Sequence, residues 1–191
     1  MHRLLAVSGS ASNLTAAQIE AALKAGFAEI PVVARDLLSD DTWRGAAGSL
    51  ATEAVKLLEQ GRSVLIHTAR GPDDPRIGEM IDSLVARGLS REHARHGGGR
   101  ELGVRLGEVV RQILSVAPLS RIAVAGGDTS SQITQVLAPD ALEVAARLSP
   151  GAPLCRTISR NKERNGIEIA LKGGQMGGVD FFEMVRAGRA S

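Results

Sequence analysis

The run Arg121-Ile122-Ala123-Val124-Ala125-Gly126-Gly127-Asp128-Thr129-Ser130 constrains what this chain can fold into more than any other stretch. Ile122 to Ala125 is short, continuous and apolar, which suits a buried parallel strand, and Ile133, Val136 and Leu137 repeat at helical spacing just beyond it. Asp128 or Thr129 then stands where a helix cap belongs. Two glycines at the junction let the backbone close on an anion, toward which a helix N-terminus turns its free N–H groups and positive dipole end. The same residues also make an ordinary tight turn before a capped helix. On this segment alone both readings stand.

A chain of 191 residues supports one sizeable core, so residues 1–191 are read as a single domain. Its 43% hydrophobic and 23% charged residues contain no apolar span long enough for a bilayer, which excludes a membrane partner. The Leu4 to Val7 run behind His2 and Arg3 is too short for a signal-peptide core, and the chain is placed in the cytoplasm. Its one cysteine, Cys155, cannot form an intrachain disulfide and reads as a small buried hydrophobe; no histidine lies near it in sequence to make it a nucleophile. The formal charge is only +2, basic residues are interspersed with acidic ones, and one tryptophan, three phenylalanines and no tyrosine leave few rings for stacking bases. Nucleic acid is set aside.

Along the chain, Leu4 to Val7 reads as a strand followed by the small hydroxyl-rich loop Ser8 to Asn13. Thr15-Ala16-Ala17-Gln18 has capping-box spacing for a helix whose face carries Ile19, Ala22 and Leu23 and which stops at Gly26. Pro31 to Ala34 reads as a strand near an edge, Ser49 and Thr52 open a helix that runs to Gly61, and Ser63 to His67 is a buried strand. From Ala69 to Arg100 the pattern loosens, with a turn cluster at Gly71 to Pro75 and a flexible Gly97-Gly98-Gly99, and this is read as the mobile region. A helix resumes through Leu102, Leu106, Val109, Val110, Ile113 and Leu114. Leu142 to Leu148 is compatible with helix or strand, Pro150 to Pro153 is a turn, and Ile158 with Ile167 to Leu171 suggests a hairpin or mixed strands. The glycine-rich loop Lys172 to Gly178 precedes a short helix bearing Phe181, Phe182 and Val185.

Alternating strands and helices predict an α/β fold: three layers, Rossmann-like, a mostly parallel sheet with helices on both faces. Such sheets bind ligands beyond the carboxyl ends of their strands, where the Ser8–Asn13, Gly126–Ser130 and Lys172–Gly178 loops all fall in this reading. Their convergence strengthens the phosphate hypothesis.

In order as well as type, these loops resemble the C-terminal nucleotide-binding domain of the four-carbon acid sugar kinase family. Val7-Ser8-Gly9-Ser10 with Thr15-Ala16-Ala17-Gln18 is similar to its opening strand, serine-glycine loop and first helix. Gly126-Gly127-Asp128-Thr129-Ser130 resembles its glycine-glycine-acid-threonine-serine signature, and Pro150-Gly151-Ala152-Pro153 its proline-glycine turn. Leu171 to Gly174, through Gly177 to Phe182, is similar to its closing loop and last helix. The chain departs from the pattern at Ser131, which replaces a usual glycine, and at Gly173, Gln175 and Met176, which stand where the closing loop has serine, asparagine and phenylalanine. The serine hydroxyl missing at Gly173 would serve a phosphate or ribose, and Ala69 to Arg100 is longer than the family norm, so the resemblance assigns nothing there. The resemblance spans nearly the whole chain but only the nucleotide half of a two-domain enzyme that phosphorylates threonate, erythronate or oxo-tetronates. It implies ATP and Mg2+ as cofactors and a sugar acid held by a separate N-terminal domain that is absent from residues 1–191, as in a fragment or a standalone relative.

The resemblance implies that Ser8, Gly9 and Ser10 contact ATP, that Gly126, Gly127, Asp128 and Thr129 wrap its phosphates, and that Gly173 and Gly174 close over the nucleotide. Asp128 is the candidate catalytic residue, holding magnesium through water or assisting deprotonation of the acceptor; a plain helix cap is the alternative. Lys172 reads as a phosphate contact or as a surface lysine at a strand end. His93 and His96 read as a solvated loop rather than a zinc site, His67 as a satisfied core histidine or a residue lining the site, and Arg70, Asp73 and Asp74 as weaker rim candidates. Three other functions remain open: a non-catalytic nucleotide-binding or regulatory module, a homo-oligomeric structural domain with empty glycine loops, and another phosphate-ligand enzyme on a similar sheet.

Overall fold

In a computed structural model, which describes residues 3–188, strands and helices alternate as the pattern predicts. They run β1 (Leu5–Ser8), α1 (Asn13–Lys24), β2 (Ala28–Pro31), α2 (Ala34–Leu38), α3 (Trp43–Glu59), β3 (Val64–His67), α4 (Pro75–Ala86) and α5 (Arg91–Val116). Then follow β4 (Arg121–Ala125), α6 (Gly127–Leu137), β5 (Ala141–Ser149), β6 (Ala152–Ile158), β7 (Glu168–Lys172) and α7 (Phe181–Ala187). The strands form one sheet in the order β2-β3-β1-β4-β7-β6-β5. The segment from β2 to β7 is parallel, and β6 and β5 complete the sheet in antiparallel pairing.

Side-chain alternation assigns the two faces. Leu5, Val7, Ile30, Val64, Ile66, Ile122, Val124 and Ile169 point to one side, where they meet α2 to α6. Leu4, Ala6, Leu65, Ala123, Ala125 and Ala170 point to the other, against Ile19 and Ala22 of α1 and Phe181, Phe182 and Val185 of α7. The three-layer, mostly parallel α/β architecture expected from the sequence is therefore the fold.

Several boundaries differ from the sequence reading, each for a physical reason. Ser12, not Thr15, caps α1, accepting from Thr15 N at 3.1 Å, so the helix starts earlier and Thr15 and Gln18 are fully buried. The second strand ends at Pro31 instead of starting there, and Val33 leads into α2. Its edge position is as expected. Helix α3 begins at Trp43, ahead of Ser49. Leu142 to Leu148 is strand, in a hairpin with β6 whose turn carries Gly151 at φ 71°. Gly126, at φ 115°, occupies the α6 cap position expected for Asp128 or Thr129.

The largest correction concerns residues 69–100, which are helical over most of their length. Asp74 caps α4 by accepting from Arg76 N at 3.0 Å, with Pro75 in its first turn, and Ser90 caps α5 by accepting from His93 N at 3.2 Å. Gly97, Gly98 and Gly99 lie inside α5. Glycine costs about 1 kcal/mol per residue in a helix, and close packing explains part of its use here. A Cβ at Gly98 would fall 2.4 Å from Leu84 Cδ1 of α4, one at Gly103 3.0 Å from Gln132 Cγ of α6, and one at Gly107 2.8 Å from Val136 Cβ.

Val136 is β-branched and cannot swing clear. Replacing Gly107→Leu is therefore expected to destabilise the chain by about 1–3 kcal/mol. Gly97→Ala, whose Cβ meets nothing within 4 Å, is expected to gain up to about 1 kcal/mol. Urea denaturation of both variants checks the pair, and an unchanged Gly107→Leu midpoint would show that α5 and α6 are not in close contact.

Candidate functional site

Strands β1, β4 and β7 are neighbours, with Ser8 in register with Ala125 and Ala125 with Lys172, so the loops that follow them emerge side by side. Pairing continues one residue past the strands: Gly9 N donates to Ala125 O at 3.0 Å and Gly126 N to Lys172 O at 2.9 Å. Beyond that, absent side chains allow the loops to touch. A Cβ on Gly9 would lie 2.0 Å from Thr129 Oγ1, one on Gly126 3.3 Å from Ser10 N, and one on Gly174 2.7 Å from Ser10 Oγ. Ser8, Gly9, Ser10, Gly126, Gly127, Asp128, Thr129, Gly173 and Gly174 thus form one cluster at the carboxyl edge of the sheet.

Their exposures differ. Gly127 and Asp128 are exposed in the first turn of α6, where N–H groups lack intrahelical acceptors, whereas Thr129 is buried. Ser8 is buried and its Oγ accepts from Ser10 N at 3.4 Å, so that hydroxyl shapes the loop from inside.

A polar latch joins the first loop and α1 to the third. Ser12 Oγ and Thr15 Oγ1 approach Gly174 O at 2.5 and 2.9 Å, and Thr15 Oγ1 lies 3.1 Å from Ser10 Oγ. Gln18 Nε2 donates to Met176 O at 3.0 Å and Gly178 O at 2.8 Å. Lys172 belongs to the same latch. Its side chain is 1% exposed, which corrects the surface-lysine reading, and Nζ donates to Thr15 Oγ1 at 3.0 Å and to Gly173 O at 3.1 Å. Burial among these neutral groups pushes the ammonium down to about 8.

The remaining candidates separate from this cluster. His67 is buried at the end of β3, with Nε2 2.7 Å from Glu29 Oε1 and Nδ1 3.2 Å from Arg76. Burial lowers its pKa, and the arginine neighbours oppose protonation while Glu29 favours it. It is a satisfied core histidine. Arg70 also pairs with Glu29, and Arg76 holds Asp74, whose carboxyl its hydrogen bonds keep well below the usual range. His93 and His96 are exposed on α5, and among the described residues no cluster of three or more His, Cys, Asp or Glu side chains is placed to hold a metal ion. Cys155 is buried, and burial pushes its thiol up, away from nucleophilic use. Among the described residues no helix is long and apolar enough to cross a membrane.

Sequence reasoning treated Thr15 and Gln18 as caps and missed their role in the latch. The signal was available: both share the helix face of Ile19 and Ala22, where a polar residue needs an internal partner.

The family described as nucleotide-binding C-terminal domain matches residues 5–182. The chain is 46% identical over 189 residues to a 3-oxo-isoapionate kinase of Paraburkholderia graminis, covering 97% of this chain and 39% of that protein. It is 33% identical over 178 residues to a 3-oxo-tetronate kinase of Pseudomonas fluorescens (92% and 36%) and 27% identical over 175 residues to a D-threonate kinase of Salmonella typhimurium (91% and 39%). It therefore spans about two fifths of the length of these relatives. Solved structures of a domain of unknown function from Bordetella bronchiseptica (TM-score 0.70, 19% identity, 97% of this chain and 40% of that one) and of a Haemophilus influenzae protein (0.68, 19%, 98% and 40%) share the fold.

Two outcomes follow from the geometry. Gly9→Ala drives a methyl into Thr129 Oγ1 and is expected to lower thermal stability, while adding Thr129→Ala removes the offending oxygen and restores much of the loss. If the second substitution gives no recovery, the loops are not in contact there. Lys172 has a folded pKa below its unfolded value, so between about pH 8 and 10.5 the unfolded chain binds the extra proton. The stability of the chain relative to its Lys172→Met variant is therefore expected to rise with pH across that window and to be flat below it, as read from urea midpoints at successive pH values.

Proposed function

As this chain belongs to the family of nucleotide-binding C-terminal domains of four-carbon acid sugar kinases, we propose that it binds ATP for phosphoryl transfer to a hydroxyl of a short sugar acid. The observation that carries the reading is the meeting of three glycine-bearing loops at the carboxyl ends of β1, β4 and β7, beside the open first turn of α6. Backbone N–H groups and a helix dipole suit a polyphosphate, and phosphoryl transfer asks a protein for positioning and charge neutralisation more than for covalent chemistry.

In this reading the backbone of Ser8, Gly9 and Ser10 and that of Gly126, Gly127 and Thr129 surround the phosphates, while Gly173 and Gly174 flank the nucleotide. Asp128 is an exposed carboxylate on the first turn of α6. Mg2+ is commonly held by one or two carboxylates together with substrate phosphates and waters, so a lone Asp128 fits an ion that arrives with the nucleotide. When bound, that ion would neutralise charge on the phosphate oxygens. Asp128 would hold it, or would take the proton of the attacking hydroxyl. The sugar acid, of the kind named for the relatives, is assigned to a separate N-terminal domain, in keeping with the fraction of those enzymes that this chain spans.

Gly127→Glu separates this reading from a structural role for the loops. A Cβ at Gly127 meets nothing within 4 Å, and a carboxylate in the first helical turn favours the helix. The variant is therefore expected to fold but to repel phosphate. Calorimetric titration should give saturable ATP binding to the parent chain in the presence of Mg2+, with at least about tenfold weaker binding to Gly127→Glu. A folded parent chain that binds no ATP would overturn the proposal.

A further inference from the structure

Next to the phosphate loops lies a cavity of about 190 Å³ that the loop reading did not anticipate. Gly9 and Thr129, from the phosphate loops, line it, and Ile77, Met80, Leu102 and Leu106, from α4 and α5, supply apolar wall. We infer that this cavity is the subsite for the adenine base of the nucleotide, an assignment that rests on the reading of the adjoining loops as a polyphosphate site.

Size, lining and the state of the nearby cations select a base over the other groups that a sugar-acid kinase handles. Pockets that take whole drug-sized ligands enclose roughly 300–1,000 Å³, so this one accommodates a single ring system. Aliphatic and thioether walls suit a flat base face, and Thr68 brings a hydroxyl that can donate to or accept from a base edge. A sugar acid would bury a carboxylate and several hydroxyls against the same walls, where few of them would find partners. Arg76 reaches the cavity but does not offer a free charge. Its Nε and Nη2 donate to the Asp74 carboxylate at 3.0 and 2.7 Å, and Nη1 donates to His67 O at 3.3 Å. Arg95 lies exposed at the rim. It is free to stack on a ring.

Gly99 makes the test clean. It lines the cavity from α5, its φ is ordinary for a helix, and an added Cβ meets nothing within 4 Å. A leucine there extends into the space meant for the ligand while raising helix propensity, so loss of binding is not loss of fold. Gly97→Leu, at an exposed position of the same helix with equally open surroundings, controls for the propensity change.

Calorimetry with ATP and with inorganic tripolyphosphate, both with Mg2+, is run on the parent chain, Gly99→Leu and Gly97→Leu. The parent is expected to bind ATP roughly tenfold to a hundredfold more tightly than tripolyphosphate, the value of burying one ring system. Gly99→Leu should erase that advantage while still binding tripolyphosphate, and Gly97→Leu should match the parent. Equal affinity of the parent for the two ligands, or an undiminished ATP preference in Gly99→Leu, would overturn the base assignment while leaving the phosphate reading intact. A parent that binds neither ligand would overturn both.

Discussion

The absence of a side chain at position 9 is the constraint on which the site depends. A Cβ there would sit 2.0 Å from Thr129 Oγ1, so only glycine lets the loop after β1 lie against the first turn of α6. The tight contact then propagates. Gly103 of α5 places its own missing side chain 3.6 Å from Thr129 Cα and 3.0 Å from Gln132 Cγ, so α5 packs on the same turn of α6 from the far side. Loop, helix start and long helix are thus held by contacts that tolerate little added volume, which is how a backbone-built site keeps its geometry without many side-chain hydrogen bonds.

On the opposite flank the holding principle is polar. Ser12, Thr15 and Lys172 share the carbonyls of Gly173 and Gly174, with Ser10 Oγ bonded to the hydroxyls of Ser12 and Thr15, and Gln18 takes the carbonyls of Met176 and Gly178. The carbonyls of an irregular loop need donors once they are partly buried, and α1 supplies them from its inner face. Lys172 does this at a cost, because a buried ammonium without a carboxylate is held below its ordinary pKa. Such a group is weak evidence for stability and better evidence that the loop it holds must keep one shape.

Much of this was legible because local pattern and tertiary role coincide. The runs ending at Ser8, Ala125 and Lys172 are strands, each followed by small residues, and parallel-sheet logic alone brings those loops to one edge. Reading failed where a residue type has two physical uses. Thr15 and Gln18 have the spacing of a capping box, but with Ser12 as the cap they turn inward and bind a loop some 160 residues away. Pro31 at the end of β2 marks the exit of a strand as readily as its entrance. Gly97 to Gly99 signals flexibility in an isolated segment, yet it lies within a helix whose neighbouring glycines are selected by contact with α4 and α6.

That last ambiguity bears on function as well as on fold. Phosphate-binding features are local: a few consecutive residues supply the glycines, the N–H groups and the helix start, so they can be read from a sequence window. The neighbouring cavity is assembled from α2, α4, α5, the first turn of α6 and the loops after β1 and β3, and no short window contains it. Its existence depends on Gly99 leaving space and on Gly98 and Gly103 drawing α5 against its neighbours, facts that only three-dimensional packing supplies. Two glycines of one helix therefore bring walls together while a third keeps the gap between them open, and helix propensity is given up in the segment that shapes the cavity.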